Sequence, residues 1–263
     1  MGVEPVLMAD RVVLVAGVGP GLGQAVAVRA AQSGADVVLA ARTESYLAEV
    51  AGKVTAAGRR ALVVPTDLTD DAAAQRLADA ALAEFGRVDA LVNNAFVMPP
   101  MRSLGRVDLD DLRAGFETNV LAALRLTRLL TPALVAAGGS VVMVNSAVLR
   151  HSRRPFGPYK LSKVGLLAVA QNLAGELGPH GVRVNSVAPG WIWADSLRAW
   201  FEYQAAERGV PAQQIYDETA ATTDLRRLPE PDEIADAVLF LASDLARGIT
   251  GQCLDVNCGE FHH

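Results

Sequence analysis

Seven short apolar runs punctuate the chain: Arg11–Ala16, Asp36–Ala40, Ala61–Val64, Ala90–Val92, Ser140–Asn145, Arg183–Val187 and Cys253–Val256. They are rich in Val and Leu and nearly continuous rather than alternating. Strands buried on both faces read this way, which predicts a mostly parallel sheet covered by helices. Longer amphipathic stretches separate the runs and predict helices near Gly21–Ser33, Glu44–Ala57, Asp70–Phe85, Leu109–Ala136, Pro158–Leu177 and Pro231–Ala242. The strand–helix alternation predicts a doubly wound α/β fold with right-handed crossovers. No repeat or low-complexity linker divides it, so residues 1–263 form one domain. One segment breaks the rhythm: Trp191 to Arg227 holds no strand but three tryptophans, and predicts a lid within that domain.

The totals narrow the possibilities. A chain of 263 residues with 51% hydrophobic and 20% charged residues is globular and long enough for a substantial core. A net charge of −5 argues against a nucleic-acid partner, which needs a basic face. No unbroken apolar run reaches the eighteen or so residues that span a bilayer, so no membrane is expected. Met1 to Asp10 carry no cationic start and no long apolar segment. Cys253 and Cys258 form neither a disulfide framework nor a metal pattern. A reducing, cytoplasmic setting and no metal site are the expectation. His262 and His263 read as a flexible tail or tag remnant.

The most informative chemistry is a trio. Tyr159 and Lys163, at i and i+4, share one helix face, and Ser146 lies thirteen residues before the tyrosine. A free phenol has a pKa of about 10, and lowering it by about 3 units needs roughly 4 kcal/mol. One ammonium about 4 Å away supplies that at an effective dielectric of about 20. Tyr159 is thereby expected to exchange a proton with a substrate oxygen that Ser146 holds.

The first apolar run leads directly into Gly17, Gly21 and Gly23, spaced G-x-x-x-G-x-G, and then into a helix. Glycines let the backbone approach a ligand closely, and a helix N-terminus offers unpaired N–H groups to a phosphate. With these motifs come Asp67-Leu68, Asn93-Asn94-Ala95, Asn119, Asn185, Pro189-Gly190 and Thr250-Gly251, in that order. Over nearly its whole length the chain resembles the short-chain dehydrogenase/reductase (SDR) family.

That resemblance implies a Rossmann fold and a hydride-transferring oxidoreductase that uses NADP(H) or NAD(H). It implies Tyr159 as proton donor and acceptor, Lys163 as its modulator and a ribose contact, and Ser146 on the reacting oxygen. Asn119 would hold a water that links the lysine to solvent. Gly17, Gly21, Leu22 and Gly23 would meet the pyrophosphate, and Asp67 and Leu68 the adenine. Asn93, Ala95, Pro189, Gly190 and Ile192 would complete the cofactor site. Asn94 and Asn185 would be structural. Asp67 also reads as the N-terminal cap of a helix starting near Thr69. The departures from the family pattern are Ala16, Pro20, Phe96 and Ala194; none of them removes a catalytic group.

Arg42 follows the second strand, where an acid would repel a 2′-phosphate, and its guanidinium favours NADP(H) over NAD(H). Asp36 lies at the wrong end of that strand. Phe96, Met98 and the stretch Leu149–Phe156, with Trp193, Leu197 and Trp200 from the lid, are expected to wall an apolar pocket for a ketone or secondary alcohol. Arg150, Arg153 and Arg154 leave open a 3-oxoacyl thioester on an acidic carrier as substrate. A non-catalytic nucleotide-sensing module is the third possibility. The resemblance also implies a homotetramer or homodimer paired through the helices near Leu109–Ala136 and Pro158–Leu177.

Overall fold

A computed structural model describes residues 7–262. Residues 1–6, and with them most of the N-terminal stretch read above, lie outside the described residues, as does His263. The seven runs all form strands: β1 (Val12–Ala16), β2 (Asp36–Ala41), β3 (Ala61–Pro65), β4 (Ala90–Asn93), β5 (Ser140–Val144), β6 (Arg183–Pro189) and β7 (Cys253–Val256). They pair in the order β3-β2-β1-β4-β5-β6-β7. Every pairing is parallel, which exceeds the "mostly parallel" expectation. The order reverses between β1 and β4, and open α/β sheets bind ligands beyond the strand ends at such a switch.

Helices cover both faces. They are α1 (Leu22–Gln32), α2 (Glu44–Ala56), α3 (Asp71–Phe85), α4 (Leu109–Phe116), α5 (Ala122–Ala137), α6 (Gly157–Leu177), α7 (Asp195–Arg208), α8 (Ala212–Ala220) and α9 (Pro231–Ala242). One buried cluster joins Val13, Val15, Val37 and Leu39 of the sheet to α1, α2 and α9. The other joins Leu14, Val38, Leu91 and Val141 to α3, α5 and α6. Alternate residues of each strand feed opposite clusters, as the pleat requires.

Three expectations change. The single helix at Leu109–Ala136 is interrupted by a π-helical turn, Glu117–Leu121, between α4 and α5. Gly165 of α6 permits its close packing, since a Cβ there would stand 3.1 Å from Phe116. An 18-residue window within Leu109–Ala137 is also apolar enough by composition to cross a bilayer, with a mean hydropathy of 1.6, although no unbroken apolar run suggested it. Leu126, Leu130 and Leu134 spend that apolarity inside the domain, fully buried against the sheet. The third change is in the 191–227 segment. It lacks a strand, as predicted, but folds as α7 and α8 around a small core of its own: Phe201, Ala205, Ile215, Ala220 and Leu228.

Candidate active site

The glycine turn follows β1 because two contacts leave no room for side chains. A Cβ on Gly17, whose φ is +103°, would stand 2.3 Å from the Ala95 nitrogen. One on Gly23 would stand 2.3 Å from the Gly17 carbonyl oxygen. Gly21 caps α1 with no side-chain hydrogen bond; Gln24 N donates to Gly19 O and Ala25 N to Gly21 O, which leaves the N–H groups of Leu22 and Gly23 as the first-turn donors. Asn94 braces this turn, its Nδ2 donating to the Gly17 carbonyl at 2.6 Å.

One cavity of about 810 Å³ takes in this turn and the trio together. Gly17, Leu22, Gly23, Arg42, Asp67, Leu68, Ala95, Pro189, Gly190 and Ile192 line it on the expected cofactor side. Ser146, Tyr159, Lys163, Phe96, Met98, Leu197 and Trp200 line it on the expected substrate side. A cradle that a Cβ would fill, an uncapped helix N-terminus and an exposed guanidinium at Arg42 fit a dinucleotide bearing phosphates.

Four expected residues behave differently. Gly21 sits behind the lining, where a Cβ would stand 3.1 Å from the Ala194 Cβ. Asn93 turns its amide into the core, with Nδ2 3.2 Å from Thr127 Oγ1; neighbouring Asn94 lines the cavity. Trp193 packs against the α7–α8 core, 4.7 Å from the Tyr216 ring and 5.5 Å from Phe201. Trp191, stacked on Trp200 at 5.7 Å, faces the cavity in its place. Asn119 does not line the cavity either. Its Oδ1 accepts from Val97 N at 2.7 Å, and its Nδ2 donates to Val97 O and to Ser162 Oγ. Both amide protons are therefore committed, and the side chain braces the 96–98 loop. Ser162 in turn donates to the Tyr159 carbonyl at 2.9 Å, tying the π-helical turn to the tyrosine. Sequence reading missed Ser162, although its place on the same helix as Tyr159 was the available signal.

Other placements refine the reading. Asp67 does not cap the following helix: Asp70 does, accepting from Ala73 N at 2.6 Å. The Asp67 carboxylate accepts from Thr69 N and Thr69 Oγ1, hydrogen bonds that hold its pKa low. Arg125 donates to the Leu68 carbonyl and pairs with Glu117 and Asp71, fixing this loop against α5. Asp36 pairs with Arg59 and Arg60, far from a ribose role. Asn185 joins β6 to the loop before β7 through Ile249 O and Gln252 N. His262 is paired: its Nε2 lies 2.7 Å from Asp224 Oδ2.

Burial governs the electrostatics of the trio. Lys163 is 1% exposed, and burial lowers its pKa to about 7. Its Nζ donates to the Val144 carbonyl at 2.8 Å and stands 5.6 Å from the centre of the Tyr159 ring. Burial raises the Tyr159 phenol well above its ordinary value, and only a hydrogen bond with Ser146 opposes this. In the protein without cofactor, burial dominates both groups: it raises the phenol and lowers the ammonium.

Comparison with known proteins gives the same picture. The family model described as enoyl-(acyl carrier protein) reductase matches residues 17–260. An uncharacterised oxidoreductase of Mycobacterium tuberculosis is 38% identical, over 95% of this chain and 92% of its own. A 7α-hydroxysteroid dehydrogenase, solved with NADH and 7-oxo glycochenodeoxycholic acid, is 29% identical with a TM-score of 0.87, covering 97% of this chain and 95% of that one. L-sorbose reductase of Gluconobacter frateurii, solved with NADPH and L-sorbose, is 26% identical with a TM-score of 0.92 over 99% and 100%. The chain belongs to the short-chain dehydrogenase/reductase family and is an NAD(P)-dependent oxidoreductase of that family. The non-catalytic alternative falls with that.

Proposed function

We propose that the chain is an NADP(H)-preferring reductase of an apolar ketone, and a dehydrogenase of the matching secondary alcohol in reverse. The carrying observation is that Ser146, Tyr159 and Lys163 line the same cavity as the glycine turn and Arg42. A bound nicotinamide dinucleotide would supply or take up the hydride. Tyr159 gives its phenolic proton to the carbonyl oxygen in reduction and takes it back in oxidation, so the alcohol C–H and O–H form or break together. Ser146 shares the hydrogen bond to that oxygen. Lys163, Asn119 and Ser162 keep the tyrosine in position. Loss of turnover on a carbonyl panel in Tyr159→Phe is the test.

Cofactor preference rests on Arg42, exposed just past β2, which ends in Ala41 rather than an acid, with Asp67 of the next loop within electrostatic reach. Replacing Arg42 with Ala is expected to weaken NADPH binding by about 10- to 100-fold, the range of a charge-assisted hydrogen bond. NADH binding should hardly change. Equal losses for both dinucleotides in a fluorescence titration would overturn the NADP(H) preference.

Apolar side chains lining the cavity support an apolar substrate: Phe96, Met98, Met101, Val148, Trp191 and Trp200. For the acyl-carrier alternative, Arg150 is paired with Asp255 and Arg153 approaches Glu260, while Arg154 stays exposed. The reading includes a cytoplasmic setting and a homotetramer or homodimer. Leu121 of the π-helical turn, and Leu161 and Val164 of α6, expose apolar side chains on the helices expected to pair. Light scattering is expected to give two or four times the 27.7 kDa chain mass; a monomer would contradict it.

A further inference from the structure

The C-terminal segment brings an acid into the cavity that the hydride-transfer chemistry does not use. Glu260 lines the cavity, and its side chain is 5% exposed. Its place is built by the backbone. Glu260 N donates to Asn257 O at 3.1 Å, and Gly259 N to Asn257 Oδ1 at 2.9 Å. Leu225 N and Asp224 N donate to Cys258 O and Gly259 O, tying the segment to the end of the lid. Gly259, at φ +81°, lies so close to Asp224 that a Cβ would stand 2.7 Å from it. At Gly190, beside the strand end, a Cβ would stand 3.0 Å from Glu260 Oε2. A side chain at either glycine would displace the acid.

This carboxylate is under-supplied with donors. An ionised carboxylate accepts at about four lone-pair positions. Among the described residues, Arg153 and Trp191 serve Glu260. Arg153 lies 3.7 Å away and is 46% exposed, while Trp191 donates a hydrogen bond. Burial raises the acid's pKa, and these two partners oppose the rise. Around it the wall is aromatic: His151, Phe156 and Trp191 stand in edge contact, with Phe156 5.4 Å from His151 and 6.5 Å from Trp191. A buried acceptor with spare capacity, beside Arg153 in a largely aromatic wall, favours a ligand that brings a donor.

We propose that Glu260 anchors a hydroxyl on the substrate, so that the enzyme acts on an apolar carbonyl compound carrying a hydroxyl away from the reacting carbon. This inference rests on the reductase reading and adds a substrate class to it. It makes Glu260 a specificity-determining residue and Gly190 and Gly259 its positioning residues.

The test is a homologous series of linear methyl ketones, each compared with the same ketone bearing a terminal hydroxyl. Chain length scans the separation between the reacting oxygen and Glu260. The wild type is expected to prefer the hydroxylated member at one or more lengths by about 10- to 100-fold in kcat/KM, the span of a hydrogen bond to a charged group. In Glu260→Leu that ratio should fall to near unity. In Glu260→Gln, whose amide oxygen still accepts, part of it should return. A wild type that shows no preference at any length would overturn the proposal, as would a Glu260→Leu variant that keeps the preference. Binding of the same pairs to NADPH-saturated protein, followed through tryptophan fluorescence, gives an answer independent of turnover. If no ketone is reduced, the reductase reading fails; tighter binding of the hydroxylated members, lost in Glu260→Leu, still supports the anchor, and equal binding refutes it.

Discussion

Replacing Tyr159 with Phe is expected to lower kcat for carbonyl reduction by about 10²- to 10⁴-fold, the usual worth of a positioned general acid. NADPH affinity should stay within a few-fold. The change deletes one oxygen and keeps the ring, which is 8% exposed and packs 6.3 Å from Phe96. The phenol is the donor for two reasons: it lines the cavity beside Ser146, and its raised pKa keeps it protonated through neutral pH. Reduction needs that protonated form. Its rate should therefore stay level from pH 6 through 8, while alcohol oxidation, which needs the deprotonated oxygen, should climb with pH. A variant with kcat within tenfold of wild type would remove Tyr159 from the mechanism. So would an oxidation rate that falls as pH rises.

The legibility of this chain differs between elements for physical reasons. All seven strands could be read because burial on both faces forces continuous Val and Leu runs, and their ends shift by at most two residues. The π-helical turn at Asn119 could not be read, since one extra residue in a helix leaves the apolar spacing nearly unchanged. Asn93 and Asn94 were confused for a related reason. Neighbouring residues at a strand end point to opposite sides, and the sequence does not say which side opens on the cavity. Trp191 and Trp193 share that ambiguity in a segment without periodicity. α7 and α8 were missed because their amphipathic pattern serves a five-residue core local to the lid. Tyr159 and Lys163 were legible as neighbours on one face, but burial, which spacing alone does not report, raises the phenol and lowers the ammonium.

The lowered ammonium has a thermodynamic consequence. In the unfolded chain Lys163 binds its proton up to about pH 10.5, whereas in the folded protein burial releases it near pH 7. Between those values the unfolded state binds more protons, so stability rises with pH across the window; below pH 7 the full penalty is present. A displacement of about 3.5 units corresponds to roughly 5 kcal/mol at most. Among the described residues, the ammonium meets the Val144 carbonyl at 2.8 Å and the Phe96 and Tyr159 ring faces. Lys163→Met removes the buried charge and keeps an apolar stem of similar length. It leaves the Val144 carbonyl without that donor, a loss of about 1 to 3 kcal/mol. The balance predicts that Lys163→Met without cofactor is more stable than wild type at pH 6, by about 2 to 4 kcal/mol in urea unfolding. The advantage should shrink towards pH 9, because the wild type gains with pH and the variant does not. Activity should be lost over the same range. Parallel pH profiles for the two proteins, or a variant less stable at pH 6, would show that the lysine keeps its proton in the folded state. The ammonium would then be the acidifying neighbour that the sequence spacing suggested. The stability of the protein without cofactor thus decides which of the two charge states Tyr159 works beside.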